Sequence, residues 1–408
     1  MVRTMTDWPL RLLVALILVW VIGGEFLRTL PGDLLWDFGS FVASGRAAAQ
    51  GLDPYGIHEL TFHVSIAGFD MWNPNLNPPI SALLFQLFDG GDVHQTFRVW
   101  RMISIAIYVA TVLLLFDRYG ATPLTVLWVF ALAGFWDTLL LGQIYIPLVF
   151  MAVAAWLLLE RRQHIAAGIL IGLVVSMKPN VLVWPVLLFL AGHRPAPIAA
   201  AITAAVVSAV PLLVYGPDIY GQWLSLVAGD GSRAVFLTNA SIAGFAARAG
   251  MPWAGMPLSI ALLLGLALWA VRRRPGIERA SGFALLAALL ASPLGWIHYT
   301  LFLLPLLLSR WHRPEIRLAG LMLCVPVPMV LARMGAPALD QLTLGSVYGW
   351  ALLICFGSLV ADRWRQRVPS AQAGRISGPS GSAADPAMPA ATATATGPAA
   401  RPASTTGA

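Results

Sequence analysis

Three short stretches carry side chains that a mostly apolar chain has little reason to keep. Trp36-Asp37-Phe38 sets a carboxylate among aromatic rings, and the polar run continues through Ser44-Gly45-Arg46 to Gly51-Leu52-Asp53-Pro54-Tyr55. A carboxylate in low-dielectric surroundings can act as a general base toward a hydroxyl. The plainer alternative is that Asp37 caps a short helix starting at Phe38. Lys178, in Ser176-Met177-Lys178-Pro179-Asn180, is the one lysine among 26 basic residues. A lysine deep in a membrane helix costs about 2.5–3.5 kcal/mol on insertion scales, so its default reading is functional. Pro179 disfavours helix at Lys178 and frees backbone groups near it. The competing reading is a lysine snorkelling to an interface from a helix end. The third stretch, Ser292-Pro293-Leu294-Gly295-Trp296-Ile297-His298-Tyr299, brings an imidazole, although a lone histidine at a helix end is commonly structural.

Weaker candidates surround these. Arg98 and Arg101 sit at the outer end of an apolar run, where topology would not place them. Gly142-Gln143 opens another run, and Asn239-Ala240-Ser241 lies in a second polar stretch and also fits the glycosylation sequon.

The scaffold that must position these residues follows from composition. The 408 residues are 58% hydrophobic and 11% charged, with a mean hydropathy of +0.75. A soluble chain carries about 25% charged residues. Apolar runs of about 20 residues recur along most of the length, so the expected class is an all-α polytopic membrane protein. The net charge of +7 does not imply nucleic-acid binding, because arginines collect at alternate ends of apolar runs. Cys324 and Cys355 lie inside such runs, offer no metal spacing and read as packing residues.

The run from Pro9 to Thr29 follows Arg3 and Arg11 and is longer than a signal-peptide core, so it reads as a retained anchor with a cytoplasmic amino end. Residues 31–95 form the first extracytoplasmic loop, in which Pro79–Phe88 suits an interfacial helix. Further spans are expected at Val99–Phe116, Pro123–Leu140, Ile144–Leu159, Ile165–Met177, Val181–Leu190 and Ile198–Tyr215. After a second outer stretch, others follow at Leu258–Val271, Ser281–Leu290, Ile297–Leu308, Leu318–Leu331 and Ser346–Val360. The short pairs around Lys178 and Pro293 suit broken helices buried in protein. Twelve crossings put both termini in the cytoplasm, and Arg118, Arg161, Arg162, Arg194, Arg272–Arg274 and Arg310 then fall inside. Residues 1–367 are expected to form one transmembrane domain, and 368–408 a disordered cytoplasmic tail.

All the candidates then share the outer side. A carboxylate, several cations and an imidazole there suit group transfer from an anionic, lipid-bound donor. Nucleotide sugars are made in the cytoplasm, whereas a polyprenyl phosphate can carry a sugar that already faces outward. The base would take the proton of an acceptor hydroxyl while cationic groups stabilise the departing phosphate.

At these residues the sequence resembles glycosyltransferase family 87, one of the GT-C membrane glycosyltransferases. The resemblance runs through Asp37-Phe38 to Gly51-Leu52-Asp53-Pro54-Tyr55, then Asn77-Pro78-Pro79-Ile80, then Gly142-Gln143 and Ala167-Gly168 into Met177-Lys178-Pro179. It continues through Asn239-Ala240-Ser241 to Ser292-Pro293 with Trp296 and His298, and covers about residues 10–360. It implies a GT-C-like bundle of about 12 transmembrane helices with a helical first outer loop, in the cell (inner) membrane. It also implies an inverting transfer of a hexosyl, mannosyl-like unit from a polyprenyl-phosphate sugar to a lipid or glycan acceptor. Asp37 would be the base and His298 a second active-site residue. Lys178, Arg98, Arg101, Gln143, Tyr55, Asn239 and Trp296 would bind substrate, with no cofactor or metal. Two departures bear on sugar and acceptor identity: Tyr299 stands where relatives often carry a second histidine, and Asn77 replaces a common aromatic. A secondary transporter or flippase is the main rival, and a non-catalytic partner of an envelope-polysaccharide complex a third reading. A transporter predicts related halves, which the sequence does not display.

Overall fold

The computed structural model describes residues 8–67, 69–88 and 90–365; the tail expected from 368 onward lies outside them. The first helix α1 (Trp8–Thr29) leads into α2 (Trp36–Ala49), a hairpin of β1 (Phe62–Ile66) and β2 (Phe69–Asn73), and α3 (Ile80–Phe85). The bundle continues with α4 (Val93–Tyr119), α5 (Pro123–Ala131), α6 (Ala133–Leu141), α7 (Tyr145–Glu160), α8 (His164–Met177), α9 (Val183–Leu190) and α10 (Pro195–Tyr215). A second stretch outside the long helices holds α11 (Asp218–Gly229) and α12 (Ile242–Arg248). The chain then returns through α13 (Pro252–Arg273), α14 (Ile277–Leu290), α15 (Leu304–Ser309), α16 (Pro314–Met322), α17 (Val327–Leu331), α18 (Ala338–Leu342) and α19 (Val347–Arg365).

Six segments among the described residues are long and apolar enough to cross a membrane: α1, α4, Pro123–Leu141, α10, α13 and Ala338–Ala361. The twelve expected spans fall mostly on helical residues, with breaks at Leu132 and at Leu323–Pro326, and only these six segments have the length. In α14 every side chain from Ala280 to Leu290 is buried, so this helix meets protein, where a broken or short helix is tolerated. Local chemistry sets several boundaries. Asp92 caps α4 by accepting from the His94 amide at 2.9 Å, and Thr122 with Thr125 forms a reciprocal capping box ahead of Pro123 at the start of α5. Gly172 of α8 lies so close to α10 that an added Cβ would sit 2.6 Å from the Ala200 carbonyl oxygen. Small residues here let two backbones meet, as in tightly packed membrane helices.

The first outer loop is not wholly helical as expected. Between α2 and α3 it folds into the antiparallel hairpin, with Phe62 opposite Asn73 and His63 opposite Trp72. Along β1 the side chains alternate between half-buried and exposed, the period-2 pattern of a strand with one covered face. Ser40 of α2 accepts from the Phe62 amide at 2.9 Å and ties the hairpin to the helix.

The bundle has two chemically different ends. Arg118 meets Glu160 at 2.6 Å where α4 and α7 finish. At the opposite ends of the same helices, the Trp100 indole donates to the Gly142 carbonyl at 3.2 Å. The second end holds the candidate residues.

Candidate active site

Asp37 lies in the first turn of α2, behind Trp36, whose backbone takes a left-handed φ of +45°. Such a conformation costs a non-glycine residue about 1–3 kcal/mol and persists only where the surroundings hold it. Here the Trp36 ring packs edge-on against Phe62, 4.8 Å between centroids. The Asp37 carboxylate is buried, and its oxygens accept from two amides, Asn73 of β2 and Gln143. No capping bond is made by the residue that precedes α2, and these partners exclude the reading of Asp37 as a helix cap. Gln143 arrives there because α6 stops at Gly142, which has φ +70° and where a Cβ would stand 2.6 Å from both Phe38 and Phe97. Only glycine fits that approach.

Asn73 is held from its far side: its side-chain oxygen accepts from Arg233 at 2.8 Å, and the same guanidinium donates to the Trp72 carbonyl. The two side-chain donors on the carboxylate are thus neutral amides, and Arg233 braces one of them. Burial pushes its pKa up from the ordinary carboxylate value to about 6. The Gln143 bond opposes this, the charge of Asp137 adds to it, and the Asn73 bond and Arg233 oppose it. A carboxyl tuned toward neutrality suits proton abstraction.

Lys178 ends α8, where Pro179 stops the helix, and is buried. Its ammonium donates to the Asn77 side chain at 2.5 Å and lies 4.2 Å above the Tyr145 ring. The snorkelling alternative does not hold, because the charge points into protein. Asn77 is fixed by Asn75, which accepts from its side chain at 2.8 Å and donates to Ser44 and Ser81. Tyr55 donates to the Asn77 carbonyl at 3.1 Å. The other face of this group is aromatic: the Tyr145 ring packs 4.3 Å from His298 and 4.6 Å from Tyr299. His298 is buried, with Nδ1 3.2 Å from Asp137 of α6. Its Nε2 and the Tyr145 hydroxyl make no hydrogen bond among the described residues. Asp37 and Lys178 lie close enough for their charges to interact.

The structure thus gathers Asp37, Gln143, Tyr55, Lys178 and His298 at one end of the bundle, on α2, the α6–α7 and α8–α9 junctions and the turn after α14. Asn239 has a different place. It is fully buried, accepts from the Gly295 and Ser241 amides, and donates to the Ala234 and Pro293 carbonyls. Its backbone bridges to Trp296, which is half-buried and edge-on to Phe236. Asn239 therefore fixes the loop leading to His298 and is shielded from glycosylation. Asn239→Ala strands several buried groups at about 1–3 kcal/mol each, so thermal unfolding of the purified protein is expected at a clearly lower temperature. Arg98 and Arg101 stand apart. Exposed Arg98 faces Asp33 at 3.4 Å, and Arg101 donates to the Thr29 carbonyl while covering the Phe97 ring, joining α4 to the end of α1.

The sequence model of glycosyltransferase family 87 matches residues 75–294. The chain belongs to glycosyltransferase family 87. It is accordingly a membrane glycosyltransferase. No curated protein and no solved structure matches it significantly. The matched stretch contains Asn77, Asp137, Gln143, Lys178, Arg233 and Asn239; Asp37 lies well before its start, and Trp296 and His298 lie just past its end. In this family 87 chain those flanking residues are joined to the matched core by the Gln143–Asp37 and Asp137–His298 contacts.

Proposed function

We propose that the protein transfers a hexosyl unit, mannosyl by resemblance, from a polyprenyl-phosphate sugar to a lipid-linked or cell-envelope glycan at the outer face of the inner membrane. The observation that carries this reading is the pairing of one buried carboxylate, held by the amides of Asn73 and Gln143, with the Lys178–Tyr145–His298 group at the same end of the bundle. Asp37 takes the proton of the acceptor hydroxyl as its oxygen attacks the anomeric carbon. The bond from that carbon to the phosphate oxygen breaks, and its electron pair leaves with the lipid phosphate. Attack opposite the leaving group inverts the anomeric centre in a single displacement. The phosphate gains a charge in this step, and the Lys178 ammonium, with His298 beside it, offsets it where little water competes. The Arg118–Glu160 end, with its flanking arginines, faces the cytoplasm together with both termini, as the positive-inside rule favours.

Purified protein in detergent, without any membrane gradient, is expected to move labelled sugar from polyprenyl-phosphate mannose to a glycolipid acceptor. Absence of transfer alongside gradient-driven uptake in vesicles would instead support a transporter. The pH profile adds a second check. Asp37 is active when ionised, and its pKa is raised to about 6, so kcat should fall about tenfold per unit as the pH drops below that value. A rate that rises on acidification contradicts a carboxylate base.

A further inference from the structure

Beyond Asn73 and Arg233, on the side away from Asp37, the hairpin and α11 enclose an open cavity of about 440 Å³. Small-molecule sites typically span about 300–1,000 Å³. Ile57, Pro74 and Leu226 contribute apolar surface to its lining, and Asp70, Trp72 and Arg233 contribute polar groups. Trp72 is 47% exposed, unusual for an indole whose backbone is pinned by a guanidinium. Its ring is held from one side by the cross-strand partner His63, 4.7 Å between centroids. His63 also faces the exposed Asp70 carboxylate at 3.4 Å. The Trp223 indole of α11 donates to the Leu76 carbonyl, fixing the opposite wall to the same segment.

The composition of this cavity selects a ligand class. A purely apolar ligand would leave the Asp70 carboxylate without use. An anion would meet that carboxylate at close range, while the Arg233 guanidinium is already engaged by Asn73 and Trp72. A pyranose carries both complements: a face of C–H groups that lies on an indole, and a rim of hydroxyls that donate to a carboxylate. We propose that this cavity is a carbohydrate subsite that takes an inner sugar of the acceptor glycan, stacked on Trp72 and hydrogen-bonded by Asp70. The inference rests on the transferase reading above. Because Asn73 and Arg233 stand between the cavity and Asp37, the sugar bound here is next to the reacting unit rather than the reacting unit itself. The acceptor is therefore at least a disaccharide. Arg233 touches both places, so an occupied subsite is coupled to the residue that orients the base.

The test is saturation-transfer NMR on the purified full-length chain, in a detergent without a sugar headgroup. The probes are mannose, glucose and the corresponding di- and trisaccharides. One oligosaccharide series is expected to bind about tenfold or more tightly than its monosaccharide. Trp72→Ala should remove that gain, Asp70→Asn should weaken it, and Trp72→Phe should retain most of it. Retention by phenylalanine separates stacking from a damaged hairpin. Equal binding by Trp72→Ala and wild type, or no preference for an oligosaccharide by wild type, overturns the subsite. Sugar transfer measured on the same wild-type sample distinguishes the two failures. Transfer without Trp72-dependent binding removes the subsite and leaves the function. Trp72-dependent binding without transfer does the reverse.

Discussion

Asp37→Asn is expected to abolish useful transfer, lowering kcat by about 10²–10⁴-fold, while raising thermal stability at neutral pH. The two effects have one cause. Asp37 is ionised at pH 7 in both folded and unfolded chains, but only the folded chain holds that charge in a buried place, which is why its folded pKa is raised. A carboxyl with a raised folded pKa weakens the fold above that pKa and ceases to do so once protonated, as pH falls below about 6. Asparagine never carries the charge, so the variant gains on the order of 2 kcal/mol at pH 7. That gain shrinks as the pH falls below about 6, where the folded wild type is protonated, and is largely gone near pH 4, where the unfolded carboxyl is protonated too. A helix cap predicts the opposite sign, since removing a cap costs about 1 kcal/mol. Loss of activity with increased stability is thus the combined signature of a base kept at some expense to the fold. Differential scanning fluorimetry at pH 7 and pH 4.5, with an initial-rate assay on the same preparations, reads both.

Lys178→Met carries the second large effect. Methionine keeps an unbranched stem against Tyr145 and loses only the charge that Asn77 accepts. If the ammonium stabilises the departing phosphate, kcat falls by about 10²–10³-fold, and the KM for the lipid donor changes far less, because the added charge develops after binding. Lys178→Arg should recover little. A planar guanidinium cannot make the single short contact to Asn77 and lie over the Tyr145 ring in the same way. A variant with unchanged kcat and a large rise in donor KM would reassign Lys178 to ground-state binding.

Much of this arrangement was legible in the sequence as isolated residues, and little of it as contacts. Asp37, Gln143 and Lys178 each stood out because an ionisable or amide group beside apolar runs needs a reason. Their partners gave weaker signals. Asn73 and Arg233 reach the carboxylate through a hairpin whose period-2 pattern covers only five residues per strand, too short to overrule an expectation of helix. Asp137 did carry a signal, a carboxylate within an apolar span, and it is the group that sets the His298 ring. Arg98 and Arg101 drew attention for defying the positive-inside rule. Their partners, Asp33 and the buried Thr29 carbonyl at the end of α1, are local. Of the twelve apolar segments legible in the sequence, six have a spanning helix's length among the described residues; hydropathy marks a helix as buried without distinguishing lipid from protein around it, and α14 is surrounded by protein.

The most direct measurement is a structure of the full chain with a polyprenyl phosphate bound. The phosphate is expected within hydrogen-bond reach of the lysine ammonium and the bare imidazole nitrogen, with the aspartate across from it and room for one sugar between. Phosphate density at the Arg98–Arg101 face, or at the Arg118–Glu160 end of the bundle, would contradict the account.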